Sequence, residues 1–135
     1  MSTVRGQSTV SVELSIPVQA DLVVLARLTA ATVAGRAGFG VEDIEDLRLA
    51  VEELCLSLVG TRRDGRLHLT YECEEDAITV DCWYEAGDHE TRGRVGDAED
   101  LSLRILDALV DEHGHDLAKG RPSAWLCKRR ADPIG

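Results

Sequence analysis

The residues best suited to chemistry lie in one stretch of the sequence, which reads DLRLAVEELCLSLV from Asp46 to Val59. Within it Ala50, Glu53 and Ser57 follow one another at spacings of three and four residues, so an α-helix places them on one face. A carboxylate on such a face can accept a proton or a hydrogen bond, and a hydroxyl oxygen can be offered to a metal ion. The same types also fit a solvated or paired helix carboxylate and an inert small residue, so the spacing alone leaves both interpretations open.

A second polar group of residues, DEHGHD at 111–116, contains a His-x-His pair beside acids. Imidazole and carboxylate groups are zinc ligands. Polar residues are also expected where a helix ends, and the pattern does not identify a further ligand outside the segment. We therefore interpret this segment as a helix end and predict no metal site.

The cysteines are predicted to be reduced thiols: Cys55, Cys73, Cys82 and Cys127. They form no Cys-x-x-Cys pair, so a zinc knuckle is not expected, and three of them lie in apolar patterns as small core residues do. No apolar run approaches the roughly 18 to 20 residues of a membrane helix, and residues 1–8 lack the layout of a signal peptide. We expect a cytoplasmic protein that makes no membrane contact.

Length and charge limit the possible partners. The 135 residues suit one domain with a single core, predicted at 10–130 between tails at 1–9 and 131–135. With 15 basic and 25 acidic side chains the net charge is −10, which argues against nucleic acid because phosphate contacts require clustered basic groups. A protein partner with a basic face fits better, and the acidic residues 42–46 are expected to contribute to the encounter.

The hydrophobic periodicity predicts both the elements and their order. We expect a strand at 10–16, helices at 19–37 and 41–59, a hairpin of strands at 66–73 and 77–84, a loop at 85–96, a helix at 97–113 and a last strand at 123–129. Such mixed blocks favour an α+β fold, a two-layer sandwich with a mostly antiparallel sheet and helices on one face.

The apolar positions of the first two predicted helices indicate how they pack. In the second helix they recur at spacings of three and four, as on one buried face: Ile44, Leu47, Val51, Leu54 and Leu58. In the first helix the apolar side is predicted to comprise Leu22, Leu25, Leu28, Thr32 and Val33.

The 46–59 stretch resembles the N-box helix of bacterial anti-sigma factor kinases, the switch-protein branch of the histidine-kinase-like ATPase superfamily. The family pattern there is D-hydrophobic-K/R-hydrophobic-A-V-x-E-x-x-x-N-A-hydrophobic. The stretch LSLRILDALVDE at 101–112 looks like the family's glycine-box helix, and VELSIP at 12–17 suits its first strand. With the matching order of elements, the resemblance covers residues 10–129 and implies the Bergerat fold of these ATPases.

The resemblance also implies an ATP and magnesium site and assigns residues to it. Glu53 takes the place of the catalytic glutamate, which orients or deprotonates the attacking hydroxyl. Ser57 stands where the family has the asparagine that holds magnesium. Glu85 and Gly87 fall in the adenine-binding loop, and Ser102 occupies the second glycine position of the glycine box.

Several positions depart from the family pattern. Asp100 and Ser102 replace glycines that let backbone amides approach the phosphates, and Asp97 and Glu99 precede them. His89 stands where the adenine loop has its second glycine. Each carboxylate near a triphosphate would repel it by about 1 to 4 kcal/mol at 4 Å. We therefore predict that ATP binding is weak or lost.

The function implied by the resemblance is regulation of transcription in a stress response. On this hypothesis the chain is an anti-sigma factor that binds a sigma factor, is antagonised by an anti-anti-sigma protein and forms a homodimer. The alternative is an active serine/threonine protein kinase that phosphorylates an anti-anti-sigma protein with Glu53 as base. A third possibility is a regulatory domain with an unrelated partner.

Overall fold

The computed structural model describes residues 9–87, 100–116 and 121–131. It contains five strands and three α-helices, and a short 3₁₀ turn at Ala20–Leu22 leads into the first helix. In chain order the elements are β1 (Thr9–Pro17), α1 (Val23–Arg36), α2 (Val41–Val59), β2 (Arg66–Glu74), β3 (Ala77–Glu85), α3 (Asp100–Leu109), β4 (Glu112–Asp116) and β5 (Ser123–Arg129).

The five strands form one sheet in the order β1-β2-β3-β5-β4, and every neighbouring pair is antiparallel. Side chains alternate between the two faces of a strand, and the helices contact one of these faces. The other face carries no helix among the described residues and is called the open face below. The predicted two-layer α+β sandwich is confirmed.

Helix α2 lies between α1 and α3 and forms the centre of the helical layer. The face predicted from its periodicity is confirmed, since Leu47, Val51, Leu54 and Leu58 are completely buried and Ile44 packs against the core from its edge. Because this face covers the sheet, the opposite flanks of α2 are left to face its two neighbouring helices.

The predicted apolar side of the first helix is wrong in detail. Leu25 and Leu28 are 40% and 49% exposed, whereas the buried residues are small: Val23, Ala26, Ala30, Val33 and Ala34. Short side chains let the α1 backbone approach the sheet closely, and the hydroxyl of Tyr71 on β2 donates a hydrogen bond of 2.8 Å to the carbonyl of Ala26. The close approach of α1 to the sheet requires small residues such as alanine, and a pattern of large apolar residues does not identify them.

The prediction of a helix up to residue 113 is also wrong. Helix α3 ends at Leu109, and Glu112–Asp116 form β4 at the edge of the sheet. This strand has little apolar character because only His113 and His115 face the helical layer. Its conformation depends on pairing with β5, a contact between distant segments that local periodicity does not register.

The described cysteines are all free thiols, and Cys55, Cys73 and Cys82 are buried as predicted while Cys127 is half-buried. Within the ranges that the structure covers, no three or more His, Cys, Asp or Glu residues form a group that could hold a metal ion. Of the helices in the same ranges, none is long and apolar enough to cross a membrane.

Candidate functional site

The candidate site lies where α2 faces α3 and β4. Glu53, in the middle of α2, accepts a hydrogen bond from the hydroxyl of Ser102, with 2.5 Å between Ser102 Oγ and Glu53 Oε2. Ser102 lies in the first turn of α3. The structure thus brings together two predicted site residues that are 49 positions apart in the sequence.

Ser57 follows Glu53 by one turn of α2 and is only 7% exposed. Its hydroxyl donates to the carbonyl of Leu54 at 2.8 Å, and its oxygen lies 2.8 Å from Nε2 of His115 on β4. Because the single hydroxyl proton goes to Leu54, we assign the imidazole proton to Nε2, which then donates to Ser57. Ser57 therefore joins α2 to the edge of the sheet.

His115 is a site residue that the sequence argument did not identify. Burial lowers the pKa of His115, and the neighbouring His113 lowers it further, so the ring favours its neutral form. His113 itself lies 2.6 Å from Asp107 of α3, measured from Nε2 to Oδ1. The His-x-His spacing was the available signal, because residues two apart on a strand point to the same face.

Glu85 lies on the open face, away from Glu53 and Ser57. It is the last residue of β3, its side chain is exposed, and His68 lies 2.7 Å from its Oε1. The structure therefore does not bring Glu85 together with the predicted residues of α2.

Gly87 lies just beyond β3 and beside the turn that precedes β2. A Cβ atom at this position would come within 2.6 Å of Asp64 Oδ2 and 3.0 Å of the Gly65 nitrogen. The hydroxyl of Tyr84 donates to the Asp64 carbonyl at 2.8 Å and ties β3 to the same turn. A glycine is thus required here for close packing against residues 64–65. His89, Asp97 and Glu99 lie outside the described residues.

The acidic start of α2 is partly engaged within the protein. The buried amine of Lys128 on β5 donates to the carbonyl of Leu109 at 2.9 Å, and it lies 3.7 Å from Asp43 and 3.9 Å from Asp46. Lys128 therefore connects the start of α2 with the end of α3. Of the predicted encounter residues 42–46, Asp43 and Asp46 face this amine.

The geometry limits what the candidate site can do chemically. The Ser102 hydroxyl uses one of the lone pairs of Glu53 Oε2, so a substrate hydroxyl would have to reach the carboxylate beside Ser102. The Ser57 oxygen is buried and already accepts a hydrogen bond from the His115 imidazole, so a metal ion would compete with His115 for it. The residues at the predicted catalytic and magnesium positions thus form hydrogen bonds with side chains of α3 and β4.

Comparisons with known proteins agree with the family resemblance. Over 72 residues the chain is 36% identical to the serine-protein kinase RsbW of two Bacillus cereus strains and 35% identical to that of Bacillus mycoides. The match covers 51% of this chain and 45% of each relative, so the chain is aligned to about half the length of these relatives. No protein-family profile matches the sequence.

The fold is similar to that in a crystal structure of the RsbU and RsbW domains of a Mycobacterium tuberculosis protein. The TM-score is 0.69 with 18% sequence identity, over 92% of this chain and 33% of that one. At this identity the likeness concerns the fold alone. The described structure thus has a fold similar to one part of that crystal structure. The 72-residue match is homology to the RsbW serine-protein kinases, and it confirms the predicted resemblance to anti-sigma factor kinases.

Proposed function

We propose that this protein is an anti-sigma factor that binds a sigma factor without bound ATP and so regulates transcription. Homology to RsbW supports the class of regulator. The observation that carries the nucleotide-free part is the hydrogen bond from Ser102 to Glu53. In this proposal the protein acts by binding the sigma factor rather than by transferring phosphate.

The Ser102 contact opposes nucleotide binding for a steric reason. In the family a glycine at this position leaves backbone amides open to the phosphates, as helix N-termini do when they bind anions. Here the Ser102 side chain instead donates a hydrogen bond to Glu53 on α2, which stands at the position of the family's catalytic glutamate. A triphosphate between α2 and α3 would have to displace the Ser102 side chain and would then lie beside the Glu53 carboxylate.

The Ser57 contact weakens the magnesium position in the same way. The family's asparagine offers a longer amide oxygen, whereas the Ser57 hydroxyl is bonded to Leu54 and approached by His115. Loss of phosphate contacts, loss of the metal ligand and added negative charge together need reach only about 4 kcal/mol to weaken binding roughly a thousandfold.

The charge of the chain supports a sigma factor as the partner. A net charge of −10 favours association with a protein that exposes a basic surface, because complementary charge raises the rate of encounter. By homology the proposal includes release by an anti-anti-sigma protein, a homodimeric assembly and action in the cytoplasm.

Calorimetric titration with ATP and magnesium tests the nucleotide-free part. We expect no heat of binding up to millimolar ATP and no phosphate transfer to an anti-anti-sigma protein. A micromolar dissociation constant, with transfer that Glu53→Gln abolishes, would instead establish the alternative function, an active serine/threonine kinase.

Purification of the tagged protein from its native host tests the partner. We expect a sigma factor to be retained, and we expect the purified protein to inhibit transcription by the polymerase carrying that sigma factor, with or without ATP. Retention of a different regulator and no sigma factor would assign the chain to an unrelated pathway.

A further inference from the structure

The two tryptophans of the chain both lie on the open face of the sheet. Trp83 is on β3 and Trp125 on β5, at alternating positions opposite to the residues that face the helices. The other aromatic side chains are buried: Phe39, Tyr71 and Tyr84. The indoles are therefore concentrated where no described helix covers them, and tryptophan is enriched among the residues that carry binding energy at interfaces.

Trp83 shows that this face accommodates a guanidinium group. The Trp83 ring stacks on His68 with centroids 4.1 Å apart and planes inclined by 13°. The guanidinium carbon of Arg121 lies 4.0 Å from the ring centroid, which is a cation–π contact. Trp83 is thus already partnered inside the protein.

Trp125, the second tryptophan of this face, is 37% exposed. Its indole lies against Gly114 of the neighbouring β4, where a Cβ atom would come within 2.5 Å of Nε1. The glycine therefore lets the ring lie across the edge strand. Within the described ranges no ring or cation stacks on Trp125, so its exposed surface is available to a partner.

Asp81 provides a negative charge beside this indole. It is directly opposite Trp125 in the register of β3 and β5, and it precedes Trp83 by two residues on the same face. Burial raises the pKa of Asp81, and among the described residues its carboxylate has no hydrogen bond or ion pair. Because Asp81 is exposed, a cation of a partner can reach its carboxylate and favour the charged form.

The open face as a whole is acidic. Its strands carry the carboxylates of Glu13, Glu72, Glu74, Asp81, Glu85, Glu112 and Asp116, and its arginines are Arg66, Arg121 and Arg129. Two of these charges are used within the face, because Arg129 lies 3.5 Å from Glu112. The excess of carboxylates favours a partner with a basic surface.

We infer that the open face around Asp81 and Trp125 is a docking site for a basic segment of a protein partner, which places an arginine side chain over the Trp125 indole and against the Asp81 carboxylate. The Arg121–Trp83 pair shows the same contact made within the chain. The inference goes beyond the proposed function, because it assigns a chemistry to this face that applies to any partner with such a segment.

Tryptophan fluorescence tests the inference directly, since both indoles are on this face. The probe is a hexa-arginine peptide at low ionic strength, and a hexa-citrulline peptide serves as its uncharged counterpart. We expect the arginine peptide to change the fluorescence saturably and the citrulline peptide to leave it unchanged. Asp81→Asn should weaken peptide binding at least about tenfold, measured by calorimetry, as should Trp125→Thr.

Glu72→Gln is the matched control, because it removes one carboxylate from the same face on β2 without touching either tryptophan. We expect it to weaken binding less than about threefold. Equal losses for Glu72→Gln and Asp81→Asn would show diffuse attraction and overturn the site, as would unchanged binding in Trp125→Thr. Should Trp125→Thr fail to fold, Asp81→Asn still decides, because it replaces an exposed side chain.

A second copy of the chain is the competing occupant of this face. Light scattering of the wild-type protein and Asp81→Asn distinguishes it: we expect the same mass for both. If the substitution converts a dimer to a monomer, the face belongs to the homodimer and the inference is wrong. Failure of the arginine peptide to bind the wild-type protein would leave the sigma-factor test unaffected, so the two hypotheses fail separately.

Discussion

The two faces of the sheet differ in how their polar side chains are paired. On the helix-covered face Ser57 pairs with His115, and Lys128 donates to the Leu109 carbonyl. On the open face Asp81 has no partner among the described residues. An unpaired polar group beneath a helix is costly, whereas water can serve it on the open side. On the covered face Ser57, His115 and Lys128 are therefore paired within the chain, whereas on the open face Asp81 can be paired by a partner.

The largest difference between the faces is expected at Ile78 and Thr79, which are neighbours on β3. Ile78 is fully buried on the covered face, so Ile78→Ala should lower the free energy of unfolding by about 2 to 5 kcal/mol. Thr79 points to the open face, and Thr79→Ala should cost no more than about 1 kcal/mol. Urea denaturation of both variants measures the contrast, and equal losses would mean that the two faces are wrongly assigned.

Lys128 and Arg129 test whether the cations of the two faces differ in the same way. Lys128→Met removes a buried, charge-assisted hydrogen bond and should cost about 1.5 to 3 kcal/mol. Arg129 and Glu112 are 56% and 55% exposed, so Arg129→Gln should change stability by less than about 1 kcal/mol. The midpoints of urea unfolding compare the two. An unchanged midpoint of urea unfolding in Lys128→Met would show that the contacts of Lys128 make no net contribution to stability.

The smallest expected effect is the pH dependence due to His115. Its pKa is lowered in the folded protein by burial and by His113, whereas the imidazole of an unfolded chain titrates near about 6.5. The unfolded state therefore binds this proton more readily. The free energy of unfolding should decrease as the pH falls below about 6.5, the pKa of the unfolded imidazole.

His115→Gln should reduce this loss, because its amide can still donate to Ser57 and does not titrate. His68→Gln on the open face is the control and should keep the decrease on acidification. The measurement is the free energy of unfolding at pH 7.5 and 5.5. An unchanged pH dependence in His115→Gln would contradict the burial of the neutral imidazole.

The elements with strong internal periodicity could be predicted from the sequence. The buried face of α2, the hairpin of β2 and β3 and the final strand Ser123–Arg129 all agree with the structure. In each, residues a few positions apart share one environment, so the local pattern of apolar side chains carries the information.

The sequence could predict which residues belong to the candidate site but not which of them contact one another. Glu53, Ser57 and Ser102 were identified by resemblance, yet the bond between Glu53 and Ser102 joins two helices that are far apart in the chain. His115 was missed because its strand has no apolar alternation, and its place beside Ser57 follows from pairing with β5. Spacing along a chain does not specify which distant side chains meet.

The sequence by itself determined the order of the elements other than β4, the class of fold and the acidity of the chain, because these depend on local periodicity and composition. Only the tertiary structure decided which face of the sheet each polar residue occupies. It placed Glu85 beside His68 on the open face and brought side chains of α3 and β4 into contact with Glu53 and Ser57. Among the described residues it gave Asp81 no partner. The physical reason is that strand register and helix docking set the partner of each polar group, and both are contacts between segments distant in sequence.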